Sequence, residues 1–444
     1  MKFFKSLVFF VIIGFSVAGC KTVKLEPIEI LTFQQKLEQL FPSAEITKME
    51  AKDHFTKAFQ LVLNEPLDHK DPAAGTFKHY VYVSHVNETA PVVLVTEGYN
   101  AKPRTYEVSK IFKGNQVQVE YRFYGKSRPD SIPWKYLTND QAVEDYHQLV
   151  TKLKRLYTGK WVSTGISKGG ETVLIYKSKY PWDVRVAIPY VAPLINTQED
   201  PRTQALINTV GSDECRNKIE KFQRLLLENR EAVLEEISSY AALKNMTFTE
   251  VSSEEALEYA VLEFPFSFWQ WDGKCEEIPN ENSTSKELFE YVNKVVGIGF
   301  YNDTTYYDLL PSYYQHMVEL GYYGFDTTPV KDLLKVVHEP TNLRFAPKNV
   351  DLTYNPIYIK EVRDYAENKG NKILYIYGEY DPWGACAPTP KPHVNALKMI
   401  LKGGSHSTRI QSFSEEDKQV IYTKLQKWMG YSTTIYPLED KNTQ

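Results

Sequence analysis

The chain has 444 residues, with 52 lysine and arginine residues against 56 aspartate and glutamate residues, so its formal net charge is −4 at pH 7. This length exceeds what one hydrophobic core usually serves, and it favours a domain that carries a large insertion. The charge falls from −4 to about −6 when the two lysines of a predicted signal peptide are removed, so the composition does not favour a nucleic-acid-binding protein.

The first 20 residues have the features of an export signal. Two lysines precede an apolar run over residues 7–17, and the sequence V-A-G-C ends at Cys20. A run of this length predicts a signal peptide over residues 1–19 rather than a membrane span. Because V-A-G-C is similar to a bacterial lipobox, we expect lipidation of Cys20 and a lipoprotein anchored to the bacterial cell envelope through this lipid. The alternative is an ordinary signal peptide followed by a chance cysteine.

The remaining cysteines predict one disulfide. Export places the chain in an oxidising compartment, where cysteines pair. Cys215, Cys275 and Cys386 are an odd number once Cys20 is set aside, so one of them stays free. We predict a disulfide between Cys215 and Cys275 and a free, mostly buried Cys386, although the count alone does not prove this pairing.

A tether and a hairpin are predicted after the signal peptide. Residues 20–56 are interpreted as a polar tether with one short amphipathic helix, Phe33 to Phe41. Period-two alternation then predicts strands at about 59–63 and 76–85 around a turn rich in proline and glycine. His69 lies in this turn, where an Asp-His pair is far more often structural than catalytic.

Strands and helices alternate after the hairpin. Continuous apolar runs predict buried strands at Pro91–Asn100 and at Gln116–Phe123. Amphipathic spacing predicts a helix over Leu137–Tyr157, and another strand leads to Ser167. This order is typical of a doubly wound α/β sheet, in which the loops at the carboxyl ends of the strands build the active site.

A nucleophile turn is predicted at Ser167. Residues Trp161 to Gly170 read W-V-S-T-G-I-S-K-G-G and contain a G-x-S-x-G sequence. In such a turn the serine is strained between a strand and a helix, and glycines two residues away on either side prevent a collision. The residues that follow have helical spacing and end at Pro181. The pattern therefore predicts a serine nucleophile.

An oxyanion hole is predicted beside this serine. Its first donor is the backbone N–H of Lys168, the residue after the nucleophile. In hydrolases with this turn, the loop after an earlier strand supplies the second donor, which we assign to the backbone of Gly98 and Tyr99. The side chain of Lys168 is expected to be solvated or to face the cap.

The α/β pattern is interrupted by a predicted helical cap. Apolar residues have helical spacing over Glu214–Tyr240 and again over Leu288–Val296. The aromatic cluster Phe264–Trp271 is interpreted mainly as core of the cap, with a substrate cleft as the alternative. The predicted divisions of the chain are the signal peptide 1–19, the tether 20–56, the α/β domain 57–195 and 366–444, and the cap 196–365.

The end of the chain carries two candidate partners for Ser167. A buried strand leads to Asp381, and a strand at Ala396–Leu401 leads to His406. Serine, aspartate and histidine occur in this order in α/β-hydrolases. His406 would take the serine proton, and Asp381 would orient and stabilise the imidazolium. Glu379 and Asp326 are the alternative acids.

Five motifs along the chain resemble one family of peptidases. They read P-L-D-H-K-D-P-A-A-G-T-F, E-Y-R-F-Y-G-K-S, G-I-S-K-G-G, Y-G-E-Y-D-P-W and G-S-H-S-T-R-I. Together they are similar to the secreted serine tripeptidyl aminopeptidases, and more distantly to the prolyl carboxypeptidase and lysosomal dipeptidyl peptidase group. The resemblance spans about residues 57–430 and implies an α/β-hydrolase fold. It also implies release of di- or tripeptides from free N-termini, with Ser167, Asp381 and His406 as the triad.

Recognition of a free N-terminus requires a carboxylate, because an unpaired buried ammonium is costly. We predict that Glu97, next to the oxyanion loop, is this anchor. The alternatives are that Glu97 caps local backbone amides or pairs with Arg122. Glu120 and Arg122 are themselves predicted to form a structural ion pair near the site.

Other classes of function remain open at this stage. The same triad serves many acyl groups, so a carboxylesterase is the rival enzyme and an inactive lipid-anchored binding protein is a third possibility. No metal or cofactor is expected, because the histidines are scattered and no H-E-x-x-H sequence occurs. The expected partners are peptide substrates and, through the N-terminal lipid, the membrane.

Overall fold

The computed structural model describes residues 31–438. The predicted signal peptide and Cys20 lie outside these residues, so lipid attachment stays a prediction. None of the helices within 31–438 is both long and apolar enough to cross a bilayer.

The described residues form eleven strands and twelve α-helices. The strands are β1 (Glu45–Met49), β2 (Lys57–Pro66), β3 (Thr76–His85), β4 (Val92–Thr96), β5 (Asn115–Val119), β6 (Trp161–Ile166), β7 (Val186–Tyr190), β8 (Glu199–Asp200), β9 (Tyr322–Tyr323), β10 (Asn371–Gly378) and β11 (Asn395–Leu401). The helices are α1 (Phe33–Leu40), α2 (Glu107–Phe112), α3 (Asn139–Leu153), α4 (Lys168–Lys179), α5 (Pro201–Ile207), α6 (Asp213–Glu228), α7 (Arg230–Lys244), α8 (Ser253–Gln270), α9 (Ser285–Val295), α10 (Asp303–Gln315), α11 (Pro356–Asn368) and α12 (Glu415–Met429).

Nine strands form one sheet in the order β1-β2-β3-β5-β4-β6-β7-β10-β11. The strands β1, β2 and β3 are antiparallel to their neighbours, and all pairs from β5 to β11 are parallel. Helices α1, α3, α4 and α11 cover one face, and α2 and α12 cover the other. The doubly wound, mostly parallel α/β fold predicted from the sequence is confirmed.

The central strands are apolar along their whole length because both of their faces are covered. In β4, Val92 and Leu94 belong to the core beneath α3 and α4, whereas Val93 and Val95 belong to the core beneath α2 and α12. Burial on both sides holds the strand in place, and it thereby positions the loop at its carboxyl end, which begins at Glu97.

The helix predicted at Phe33 to Phe41 is present, but the assignment of residues 33–49 to a tether outside the α/β domain is wrong. Phe33, Leu37 and Phe41 insert into the main core of the sheet, and β1 pairs with β2 as an edge strand. The sequence does not reveal this strand, because β1 is a half-exposed edge with no apolar side chain that is fully buried. The α/β domain therefore begins near residue 33.

The cap consists of α5 to α10, which share a core rich in aromatic side chains. The helical spacing over 214–240 belongs to two helices, because the chain turns at Asn229 between α6 and α7. Cys215 at the start of α6 forms a disulfide with Cys275 after α8, with Cα atoms 5.4 Å apart. Cys386 is free and buried.

The cap ends earlier than the sequence suggested. Tyr358, Ile359 and Val362 of α11 lie in the core of the sheet beside α4. The predicted boundary at 365 is therefore wrong, and the second part of the α/β domain starts at about residue 356. Amphipathic spacing shows that α11 has a buried face, but it does not show which core that face joins.

Candidate active site

Ser167 lies at the junction of β6 and α4. Its φ of 57° and ψ of −126° fall in a region that residues with a side chain rarely adopt. A Cβ atom at Gly165 would lie 2.3 Å from the carbonyl oxygen of Gly169, so the turn requires glycine there. The structure therefore places Ser167 in a strained strand-to-helix turn at the carboxyl edge of the sheet.

His406 and Asp381 meet at the same edge. The strands β10 and β11 are parallel neighbours, and the two residues follow their carboxyl ends. The Nδ1 atom of His406 lies 2.8 Å from Oδ2 of Asp381, and the two side chains are 4% and 0% exposed. The other carboxylate oxygen of Asp381 accepts a hydrogen bond from the Trp383 amide at 3.2 Å. Asp381 thus fixes the ring and leaves the Nε2 atom of His406 for another partner.

The two alternative acids are bonded elsewhere. Glu379 is exposed and accepts from the backbone N–H of Gly403 at 2.7 Å. Asp326 lies in the cap and accepts from the backbone N–H of Thr328 at 2.8 Å. Among the three candidate acids, the structure brings Asp381 to the histidine.

The loop after β4 lies directly against the nucleophile turn. A Cβ atom at Gly98 would lie 2.6 Å from the amide nitrogen of Gly169 and 2.7 Å from Cβ of Lys168, so only glycine permits this approach. Within residues 31–438, the backbone N–H groups of Gly98, Tyr99 and Lys168 have no hydrogen-bond acceptor. Three free donors therefore converge near Ser167, one of them at the positive end of α4.

The side chain of Lys168 is not solvated, so one of its two expected placements is wrong. It is buried, and its Nζ donates to the carbonyl oxygen of Gly98 at 2.8 Å. The Nζ also lies 3.4 Å from the centroid of the Tyr121 ring and 4.9 Å from that of Tyr124. Burial holds the pKa of Lys168 well below its usual value. Lys168 thus ties the nucleophile turn to the loop after β4.

The carboxylate of Glu97 is occupied by local groups. Its Oε1 accepts from the Tyr106 hydroxyl and, at 2.7 Å, from Nε2 of Gln118. Arg104 donates to the same Tyr106 hydroxyl at 2.9 Å. Burial raises the pKa of Glu97, although these hydrogen bonds oppose the shift. The alternative pairing of Glu97 with Arg122 is wrong, and its role as an anchor stays a prediction.

The predicted ion pair between Glu120 and Arg122 is also wrong. Arg122 makes a bidentate pair with Asp145, at 2.7 and 2.8 Å. Glu120 instead accepts backbone N–H bonds from Ala101 and Ser127. Residues two apart share one face of a strand, but Glu120 and Arg122 lie in the loop beyond β5, where this period no longer holds. Their side chains therefore reach different partners.

His69 belongs to the network around Asp145. Its Nε2 lies 2.6 Å from Oδ1 of Asp145, and Glu65 is close enough to complete a group of three possible metal ligands. The Arg122 guanidinium already neutralises Asp145 in this group. The network therefore has the composition of a structural ion pair, in agreement with the interpretation of His69 as structural.

The cap contacts the histidine loop through the end of α8. The backbone N–H of His406 donates to the carbonyl oxygen of Gln270 at 3.0 Å, and the rings of Trp271 and His406 are 5.5 Å apart edge to face. Most of the aromatic cluster Phe264–Trp271 is buried in the cap core, as expected, but Trp271 is 54% exposed. Sequence reasoning missed Trp271 as a site residue, because its position in the cluster gave no sign that it differs.

The sheet topology and the turn at Ser167 define an α/β-hydrolase. The model of the PS-10 peptidase S37 family matches residues 37–435, and the chain belongs to this family. It is therefore a serine peptidase, as the motifs indicated.

Two relatives extend over most of the chain. The prolyl tri/tetrapeptidyl aminopeptidase of Streptomyces mobaraensis is 29% identical over 398 residues, covering 86% of this chain and 82% of that protein. The lysosomal Pro-X carboxypeptidase of Homo sapiens is 22% identical over 373 residues, covering 71% and 73%. The resemblance drawn from the five motifs is confirmed.

Proposed function

We propose that this peptidase releases short peptides, of two or three residues, from free N-termini by way of an acyl-enzyme on Ser167. The observation that carries the proposal is the buried Asp381–His406 hydrogen bond at the sheet edge where Ser167 occupies a strained turn. The Streptomyces relative is named an aminopeptidase, which supports cleavage from the N-terminal end of the substrate. Both relatives are named for proline, which supports proline before the cleaved bond.

In the proposed mechanism, the Ser167 hydroxyl attacks the scissile carbonyl carbon while Nε2 of His406 takes its proton. The carbonyl oxygen becomes an oxyanion, which accepts hydrogen bonds from the free N–H groups of Lys168 and of Gly98 or Tyr99. His406 then gives the proton to the leaving amine. Water, deprotonated by the same imidazole, hydrolyses the acyl-enzyme and releases the short peptide.

A labelling and cleavage experiment with Ser167→Ala tests this function. We expect a fluorophosphonate to label the wild type and Ser178→Ala, a control in the same helix, but not Ser167→Ala. The wild type should cleave Ala-Ala-Pro reporters that have a free amine much faster than N-acetylated ones. If short-chain esters are the better substrates, the protein is a carboxylesterase and the peptidase proposal is wrong. Absence of labelling in the wild type would favour the inactive binding protein.

Lys168→Met should lower kcat by about 10²-fold with little change in KM, because loss of one oxyanion-hole donor typically costs about 10²–10³-fold in kcat. The variant keeps the backbone N–H of residue 168 but loses the bond that holds Gly98 in place. Steady-state kinetics with a peptide reporter measures the effect.

Lys177→Met is the matched control for this variant. Lys177 is also a buried lysine of α4, and its Nζ bonds the carbonyl oxygens of Pro181 and Val184, both at 2.6 Å. This control should lower the melting temperature without changing kcat. Equal losses of kcat in the two variants would show that Lys168 acts only through the stability of α4.

A further inference from the structure

A carboxylate without a cationic partner lies in the core of the cap. Glu263 of α8 is 9% exposed, and it accepts hydrogen bonds from two hydroxyl groups, those of Ser267 (2.8 Å) and Tyr323. Among residues 31–438, no lysine, arginine or histidine forms an ion pair with it. Burial raises the pKa of Glu263 to about 7. The protein therefore maintains a buried acid whose charge it does not itself neutralise.

Glu258, on the same helix, is a structural carboxylate of the cap and provides a comparison for Glu263. It is fully buried, pairs with Arg230 at 2.6 Å, and accepts backbone N–H bonds from Lys335 at 2.7 Å and Val337 at 2.6 Å. Its pKa is lowered, because these partners together outweigh the effect of burial. Glu263 differs in having hydroxyl donors where Glu258 has a guanidinium and amides.

Tyr323, which donates to the unpaired carboxylate, belongs to a cluster of aromatic side chains. Tyr323 stacks on Phe266 with centroids 4.0 Å apart, and Tyr322 lies 4.5 Å from Tyr323. Trp383 contacts both tyrosines, at 5.3 and 5.5 Å. A carboxylate next to an aromatic cluster is suited to an organic ammonium, because aromatic rings attract a cation while the carboxylate neutralises it.

This cluster is connected to the catalytic loops at both ends. Trp383 is two residues after Asp381, and Gln270, which accepts from the His406 amide, is seven residues after Glu263 on α8. At 1.5 Å per helical residue, those seven residues place Glu263 about 10 Å along the helix from the histidine loop. An extended peptide rises about 3.3 Å per residue, so a separation of this order is within reach of a short peptide.

We propose that Glu263 binds the α-ammonium group of the substrate and thereby limits the released unit to a short peptide. This inference rests on the proposed function, because it assumes that the acyl group is delivered to Ser167. The substrate ammonium supplies the positive charge that the cap lacks, and the rings of Tyr322 and Tyr323 contact it. Glu97 is less suited to this role, because the positive charge of Arg104 already lies near it, whereas none of the described residues places a cation near Glu263.

The test compares Glu263→Gln with Glu97→Gln on paired substrates. For Ala-Ala-Pro reporters with a free amine, Glu263→Gln should lower kcat/KM by about 100-fold, mainly through KM. For the N-acetylated reporter and for fluorophosphonate labelling, the rates should equal those of the wild type. Glu97→Gln should change neither substrate selectively. A selective loss in Glu97→Gln, or no selective loss in Glu263→Gln, would overturn the proposal.

A second variant and a product analysis complete the test. Tyr323→Phe removes one hydroxyl donor to the carboxylate, and it should lower kcat/KM for the free-amine reporter selectively, so the proposal can be judged even if Glu263→Gln does not fold. Mass spectrometry of a proline-containing peptide should show short products of one length from the wild type, and a broad distribution of product lengths would overturn the role of a fixed anchor. If the wild type cleaves no peptide at all, the proposed function fails. Cleavage without selectivity loss in the variants rejects only the role of Glu263.

Discussion

Asp381→Asn should lower kcat for peptide hydrolysis by about 10⁴-fold, the loss seen when the same change is made in other serine proteases. Asp381 accepts from Nδ1 of His406 and is itself held by the Trp383 amide. An asparagine can present its NH₂ group to Nδ1, which would place the imidazole proton on Nε2, where the ring has to accept the serine proton. KM should change little, because substrate binding does not involve the buried carboxylate. Steady-state assays with a peptide reporter measure kcat and KM of the wild type and of Asp381→Asn.

Glu379→Gln is the matched control for this experiment. Glu379 lies two residues before Asp381 and is exposed. Among the described residues, its carboxylate accepts a hydrogen bond only from the Gly403 amide. Its replacement should leave kcat within a factor of two or so of the wild type, since exposed hydrogen bonds contribute little. A large loss in Glu379→Gln together with a small one in Asp381→Asn would assign the acid to Glu379 instead.

Asp145→Asn should lower the free energy of unfolding by about 3–5 kcal/mol, because it leaves a buried guanidinium without its counter-charge. The side chain of Arg122 is fully buried, and it also donates to the carbonyl oxygens of Leu67 and Tyr136. Asparagine can replace only one of the two bonds that Asp145 accepts from Arg122. Urea denaturation followed by tryptophan fluorescence measures the loss.

The loss of unfolding free energy caused by Asp145→Asn should depend on pH in a defined direction. Burial raises the pKa of Asp145, but the Arg122 guanidinium and its hydrogen bonds outweigh burial and hold that pKa below its ordinary value. A depressed carboxyl pKa stabilises the fold fully above the ordinary value, and this stabilisation disappears as pH falls through the lower value of the folded state. The part of the difference that comes from the titration of Asp145 itself should therefore be constant near neutral pH and shrink only in strong acid.

Glu45→Gln provides the comparison for the buried pair. Glu45 pairs with Lys78 at 3.2 Å, but the two side chains are 72% and 61% exposed. Exposed pairs contribute about 0–1 kcal/mol, so this variant should unfold at nearly the wild-type urea concentration. Equal effects of the two substitutions would contradict the view that Arg122 and Asp145 form a structural ion pair that depends on burial.

Much of the α/β domain could be predicted because its signals are local. Continuous apolar runs identify β4 and β10, and glycines two residues on either side identify the turn at Ser167. The chain order of Ser167, Asp381 and His406 follows from the connection of the strands. The edge strand β1 escaped prediction for the opposite reason, because a half-exposed strand has no comparable pattern.

The charged side chains around the site were predicted poorly. A solvated Lys168 was one of two expectations, but its side chain is buried against the rings of Tyr121 and Tyr124, in a loop much earlier in the chain. Arg122 was paired with its neighbour Glu120, whereas its partner Asp145 lies in α3. The partner of a charge is chosen by which elements the fold brings together, and the spacing of residues along the chain does not contain that information.

The sequence by itself determined the class of chemistry, because a strained serine turn and the order of its partners depend on a few residues at fixed positions. Only the tertiary structure decided which acid meets His406, where the cap ends, and that Glu263 lies unpaired next to an aromatic cluster. The physical reason is the range of the interactions. Turn strain and strand periodicity act between neighbours in the chain, whereas burial and charge pairing act between groups that meet only after folding.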